Sequence, residues 1–352
     1  MKTISSICLL VLFLISWNSS YSQISKINTY GFFDTEVEIS NESSETKKWA
    51  FDQHHLNVLV NYSLNNQFTI ATEIEYEHVP DLSSEQHDGS IYLANAYLHY
   101  NRSNTFQVKI GKFMNPFGIY NERHDATPTF ISTELPNSIY DDHELALGIS
   151  GRLFAKHSTG IQVLGRFYTD QWGFKYKMYL SNGRGPNSGE KDTNFNKGLG
   201  FRLEADSPIE GLRFGTSFYT DKNGYINDIK QSALGFDIEL EKSSYMIQTE
   251  FIYSKIENTG IDELPNGIFT GVMGYYIMGS YTFFNKLSPF VRYDKYFKNV
   301  KHLNNAENIS MVGMNFAISQ SIFLKGEFHI HRFQDDKTKN FEMFISSIAV
   351  AF

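Results

Sequence analysis

Alternation of apolar and charged residues constrains this chain more than any motif does. Thr35, Val37 and Ile39 interleave with Asp34, Glu36 and Glu38, and Phe68, Ile70, Ile74 and Tyr76 flank Glu73, Glu75 and Glu77. Successive side chains of a strand point to opposite faces, so each run has one apolar and one acidic face. Such a strand cannot lie between two dry layers; one face must meet water. Counting the runs gives about sixteen strands, an even number as bacterial single-chain outer-membrane barrels require.

The links between runs are of two kinds. Short ones fall at Leu64-Asn65-Asn66, Asn101–Asn104, Asp170-Gln171, Ser207–Gly211, Lys242-Ser243, Asn285–Leu287 and Ser319-Gln320. Longer polar ones fall near 40–48, 79–90, 114–157, 182–196, 222–231, 257–270, 298–306 and 334–341. The two kinds alternate, as periplasmic turns and extracellular loops do in outer-membrane proteins. The expected fold is all-β: a transmembrane antiparallel β-barrel with short periplasmic turns, longer extracellular loops and a long third loop.

The first residues read as an export signal. Lys2 supplies the positive region, Ile7–Trp17 the apolar region, and Ser20-Tyr21-Ser22 the small-residue cleavage site, so 1–22 is expected to be removed. The apolar run, about eleven residues, is too short to span a bilayer. No later stretch reaches the roughly eighteen apolar residues of a membrane helix. The one cysteine, Cys8, lies in this leader, so residues 23–352 can form no disulfide. A net charge of −8 argues against nucleic acid as a partner. The expected location is the bacterial outer membrane, with its lipid around the barrel.

The last run, FEMFISSIAVAF, sets Phe344, Ile348, Val350 and Phe352 on one face. An amphipathic strand ending on an aromatic resembles the signal read by the barrel assembly machinery, with Phe352 as its key residue.

One segment departs from the pattern. After the alternating Phe106, Val108 and Ile110, the chain breaks at Asn115-Pro116 and runs without clear periodicity through Pro128 and Pro136. A loop this long inside a folded chain is usually functional. Its start, IGKFMNPFGIYNERHDATPTF (Ile110–Phe130), resembles the phosphate-selective porin O/P family. Leu147–Arg152 with Ser158–Phe167, and YLSNG at Tyr179–Gly183, extend the likeness to about a fifth of the chain. The resemblance implies a sixteen-stranded, commonly trimeric porin whose loop folds inward to narrow the channel. It also implies a constriction lined by arginines and lysines, and solutes that include anions such as phosphate. Here the irregular part carries Arg123, His124 and His143 beside Glu122, Asp125, Glu134, Asp141, Asp142 and Glu144, a more acidic set than the family's pattern.

Placing the polar face of each strand inward gives an uneven lumen. Lys109, Arg166, Lys175, Lys177, Arg202 and Arg213 form a basic stripe, which Arg123 and His124 join from the loop. Glu36, Glu73, Glu75, Asp237 and Glu239 form an acidic wall expected to face it. Tyr168, Trp172, Tyr219, Tyr253, Tyr281, Phe283 and Tyr296 read as interfacial girdles.

No catalytic, metal or cofactor set is expected. His54 and His55, adjacent on a strand, should point to opposite faces. His329 and His331, two apart and both inward, read as solvated lumen residues, with Asp335 and Asp336 nearby. No nucleophile sits beside a base in a way that marks a hydrolase. The expected function is passive diffusion of small hydrophilic solutes without covalent chemistry. A non-conducting adhesin or structural barrel and a barrel hydrolase are the alternatives.

Overall fold

The computed structural model describes residues 26–42, 50–77, 90–123, 126–145, 149–183, 195–223, 229–257, 269–301 and 304–352. The expected leader at 1–22 and His124 lie outside these residues. The first five strands are β1 (Ile27–Ser40), β2 (Ala50–Ser63), β3 (Phe68–Glu77), β4 (Ser90–Ser103) and β5 (Phe106–Met114). The long segment that follows holds, among its described residues, two 3-10 turns (Asn121–Arg123 and Thr127–Thr129), one α-helical turn, α1 (Asn137–Tyr140), and a small hairpin, β6 (His143–Leu145) and β7 (Ile149–Gly151). Local structure thus exists where the sequence shows no period. Pro136 opens α1, with its carbonyl accepting from Tyr140 N at 3.0 Å.

Next come β8 (His157–Thr169), β9 (Trp172–Ser181), β10 (Gly198–Asp206), β11 (Leu212–Asn223), β12 (Ile229–Glu241) and β13 (Tyr245–Glu257). The last five are β14 (Phe269–Tyr281), β15 (Leu287–Phe297), β16 (Ala306–Ala317), β17 (Ile322–Phe333) and β18 (Phe341–Ala351). Each strand except β6 and β7 pairs with its neighbours in sequence order, and β5 pairs directly with β8. β1 then pairs with β18, Phe32 opposite Ala351 through Ser40 opposite Met343, closing a barrel of sixteen antiparallel strands. Closure removes the unpaired edges that an open sheet would present.

The barrel is inside-out relative to a water-soluble one. On β8, Ile161 is 48% exposed while Gln162 beside it is fully buried. Phe51, Ile74, Ile110, Leu180, Val291 and Val312 likewise face outward. An apolar exterior with every backbone group paired along a closed sheet is what a bilayer's hydrocarbon demands. At the short-turn end the chain reverses within a few residues; Asp170, between β8 and β9, adopts φ 49°, a left-handed conformation that Asp tolerates.

Two departures from polar-in alternation matter. Ile252, Ile256, Val272, Met278 and Phe290 point inward and are buried, making an apolar island on β13–β15. Tyr219 and Tyr296, expected in the girdles, also point inward and are buried, whereas Tyr168, Trp172, Tyr281 and Phe283 are exposed. Parity decides this: Tyr219 shares a face with Ser217, and Tyr296 with Asp294 and Arg292, all of which are buried.

Candidate functional site

The described residues of segment 115–156 lie inside the barrel and pack on the apolar island. Phe117 stacks on Phe154 with ring centroids 4.2 Å apart, and Tyr120 meets Phe130 and Tyr140 edge to face at 5.1 and 5.8 Å. Ile139 and Leu153 complete a core shared with Ile252, Val272, Tyr276 and Met278. Each such side chain taken from water contributes roughly 1.5–3 kcal/mol. Several together hold the segment as a fixed part of the lumen rather than a swinging flap.

The two ends of the segment are tied together. Asn115 Nδ2 donates to Ala155 O at 2.7 Å, and Asn121 Nδ2 donates to Asn115 O at 2.7 Å and Lys156 O at 3.0 Å. Gly118 takes φ +63°, and a Cβ there would collide with Tyr140 Oη and Glu250 Oε2. Gly111 takes φ +136° against the backbone of Ala96 and Tyr97. The glycines of the GKF and PFG stretches therefore answer to backbone geometry and close approach.

The wall receives the loop through buried polar groups. Glu250 accepts from Ile119 N at 2.9 Å, Tyr140 Oη at 2.8 Å and Tyr276 Oη at 2.7 Å. Burial, with Glu250 close by, raises the Tyr140 hydroxyl well above the usual phenol range, so it remains a donor. Arg292 donates to the carbonyls of Glu134 at 2.7 Å and Leu135 at 3.1 Å, and to Asp294 Oδ2 at 2.7 Å. Lys325 donates to the carbonyls of Thr127 at 2.5 Å and Ser132 at 2.9 Å. Glu327 accepts from Thr133 N, and Thr133 Oγ1 meets Ser347 Oγ at 2.7 Å.

These docking residues are absent from the sequence expectations. Their signal was there: β13 and β14 carry apolar residues at both parities, and a wet wall has no use for Ile252 or Val272. The loop holds the β11–β18 side of the lumen. Tyr97, Lys109 and Lys175 on β4, β5 and β9 point inward and stay partly exposed, and Lys177 beside them reaches Glu122 of the loop.

The basic stripe and acidic wall do not simply face each other. Arg202 is buried, with Nη1 2.7 Å from Asp237 Oδ2, Nη2 3.0 Å from Oδ1, and Nε 2.9 Å from Glu204. Arg213 lies 2.8 Å and Arg123 3.6 Å from Glu239. Lys175 lies 3.3 Å from Glu204, and Lys177 pairs with Glu122 of the loop. The cause is topological: β10, β11 and β12 are consecutive neighbours, so a long Arg reaches a carboxylate two strands away. Asp237 and Glu239 are thus counter-ions of the stripe. Lys109, over the Tyr97 ring at 4.7 Å, and Arg166, donating to Tyr168 Oη at 3.1 Å, have no carboxylate within ion-pair distance among the described residues.

The other carboxylates sit apart, on β1 and β3. Glu73 accepts from Asn57 at 2.9 Å and Asn95 at 2.5 Å. Glu36 and Glu75 are buried on the same side of the barrel. His329 and His331 are buried rather than solvated. Their partners are Glu327 and Glu307, each at 3.1 Å, not the following aspartates. His54 and His55 also depart from expectation, since their rings lie 3.9 Å apart on one side of the strand. At the other end, Phe352 exchanges backbone hydrogen bonds with Gly31 at 2.8 and 2.9 Å, its ring over the glycine and 61% exposed.

A closed sixteen-stranded barrel, apolar outside and narrowed from within by its own long segment, has the architecture of outer-membrane porins. An anion-selective porin from Comamonas acidovorans superposes with a TM-score of 0.65 at 11% identity, over 93% of this chain and 99% of that one. The trimer form of OmpT from Vibrio cholerae gives 0.61 at 13% identity, over 93% and 99%. The outer membrane channel DcaP of Acinetobacter baumannii gives 0.59 at 13% identity, over 93% and 97%. At these identities the likeness is one of fold. In sequence, an uncharacterized protein of Aquifex aeolicus is 27% identical over 178 residues, 51% of this chain and 35% of that protein. The match thus spans about a third of the curated relative's length. No protein-family model matches the sequence.

Proposed function

We propose that this protein is an outer-membrane porin through which small hydrophilic solutes diffuse passively. The observation that carries the reading is the docking of the described residues of 115–156 inside the barrel, mainly against one part of its wall. Apolar packing and buried hydrogen bonds hold it to β11–β18, and the inward faces of β4, β5 and β9 keep partly exposed charged side chains. A solute path between loop and wall would run past Tyr97, Lys109, Lys177 and Arg123. Lumen-facing side chains tune selectivity in such barrels.

Lys109 and Arg166, with no carboxylate within ion-pair distance among the described residues, favour anions over cations of equal size. Phosphate is the finer expectation, resting on the Ile110–Phe130 resemblance to the phosphate-selective porin O/P family. Export by the 1–22 leader, assembly through Phe352 and a homotrimeric state belong to the same reading. The trimer draws support from the trimer form of the Vibrio cholerae neighbour.

Planar-bilayer recording tests the proposal. Stepwise conductance is expected, with a reversal potential of anion-preferring sign across a potassium chloride gradient. Lys109→Ala and Arg166→Ala should each move it toward zero. Folded protein that gives no steps would overturn the porin reading. A reversal potential of zero, unchanged in both variants, would overturn only the anion preference.

A further inference from the structure

On the lumen wall formed by β1 and β2, a β-bulge breaks the register. Asp34 pairs with His55, but Glu36 pairs with Asp52, so Gln53 and His54 together oppose Thr35. A bulge re-aims the side chain that strict alternation would send to the other face. His54 consequently joins His55 on one side. Gln53 clamps the distortion, its amide nitrogen donating to the carbonyls of Asp34 and His55 at 2.9 Å each. The Thr35 hydroxyl donates to Gln53 Oε1 at 3.1 Å.

Three ligand-type groups converge there, with a fourth, Glu36, beside His54. His54 Nδ1 lies 3.3 Å from Glu36 Oε2 and 3.7 Å from Asp34 Oδ2, and His55 Nδ1 lies 3.1 Å from Asp34 Oδ1. Asp34, His54 and His55 each offer a ligand atom within 4.8 Å of the others. Asp34 is fully buried, and Asp34 Oδ2, Glu36 Oε2 and His54 Nδ1 are buried without a hydrogen-bond partner. Orphaned lone pairs of this kind are costly unless something satisfies them.

Tetrahedral zinc with bonds of about 2.0–2.2 Å sets neighbouring ligand atoms about 3.3–3.6 Å apart. The three closest separations here, 3.1, 3.3 and 3.7 Å, bracket that spacing, and the ligand atoms of Asp34, His54 and His55 all lie within 4.8 Å of one another. Two imidazoles with two carboxylates suit a borderline-soft transition cation, whereas magnesium and calcium prefer oxygen alone. A cavity of about 190 Å³, lined by His54, His55 and Glu134 of the loop, adjoins the cluster.

We propose that Asp34, His54 and His55, with Glu36 beside His54, form a binding site for a divalent first-row transition cation on the lumen wall. Gln53 is its positioning residue. The site is independent of the solute path and would hold in a barrel that does not conduct.

Calorimetric titration of the folded full-length protein in detergent with Zn²⁺ tests it. One Zn²⁺ per chain is expected, with no saturable heat for Mg²⁺. Asp34→Asn and His54→Ala should abolish saturation, and Gln53→Ala should weaken binding about 10–100-fold, as loss of an outer-shell partner does. Heat-modifiable gel mobility confirms that each variant is folded, and His54→Gln replaces His54→Ala if the latter is not. No saturable Zn²⁺ binding by the folded chain, or unchanged stoichiometry in folded Asp34→Asn and His54 variants, overturns the site.

Discussion

Tyr140, closing α1, donates its hydroxyl to Glu250 on the inner face of β13 at 2.8 Å, joining residues 110 positions apart in the chain. Glu250 also receives Tyr276 Oη and Ile119 N, so one carboxylate fixes two parts of the loop to the wall. Glu250→Ala leaves several buried donors unsatisfied, each costing about 1–3 kcal/mol. The expected outcome is a loosened loop, read as added open-channel noise and altered single-channel conductance. Wild-type noise in a folded Glu250→Ala protein would show that the carboxylate does not hold the loop.

Gly118 should tolerate no side chain. Its positive φ and the crowding by Tyr140 and Glu250 act together. Gly118→Ala, a change that stabilises by about 0.4–1 kcal/mol at a glycine of ordinary conformation, should here destabilise by more than that. Limited proteolysis should cut within 115–156 in the variant and spare it in the wild type.

The Arg202–Asp237 pair predicts an asymmetry. Asp237→Ala strands a buried guanidinium, a change that costs about 3–5 kcal/mol in such pairs. Glu204, at 2.9 Å, remains as partial compensation. Arg202→Met with Asp237→Leu together should be milder than Asp237→Ala alone. Thermal unfolding in detergent ranks the variants, and equal losses would contradict the buried pair.

His143 gives the docked loop an acid sensitivity. Burial lowers its pKa to about 4, helped by Arg152 and Lys298, while the neighbouring Asp142 and Glu307 line the same cavity. Its ring stacks on Tyr296 at 3.7 Å. A base whose docked pKa lies below its free value of about 6.5 binds fewer protons when docked. Docking is thus strongest above pH 6.5 and weakens as pH falls toward 4. Channel noise should rise over that interval in the wild type and stay flat in His143→Phe.

Much of the barrel was legible because alternation is local. A period of two in Asp34–Ile39 or Phe68–Glu77 assigns in and out without knowledge of any partner strand. The inward apolar residues were legible in principle too, since Ile252 and Val272 contradict a wet wall, but their meaning needs the loop that covers them. His54 shows where local reading fails: one extra residue in β2, where Gln53 and His54 together oppose Thr35, reverses its face, and only the pairing with β1 reveals it.

By itself the sequence determined a closed, membrane-facing antiparallel barrel, its even strand count and the position of its one long insertion. Each follows from residue-to-residue periodicity and link length. Only the tertiary structure decided that Arg202 and Arg213 are matched by Asp237 and Glu239, that Arg292 and Lys325 hold loop carbonyls, and that two adjacent histidines meet Asp34. Those pairings join groups on different strands or across the lumen, where distance depends on barrel closure and register rather than on sequence spacing.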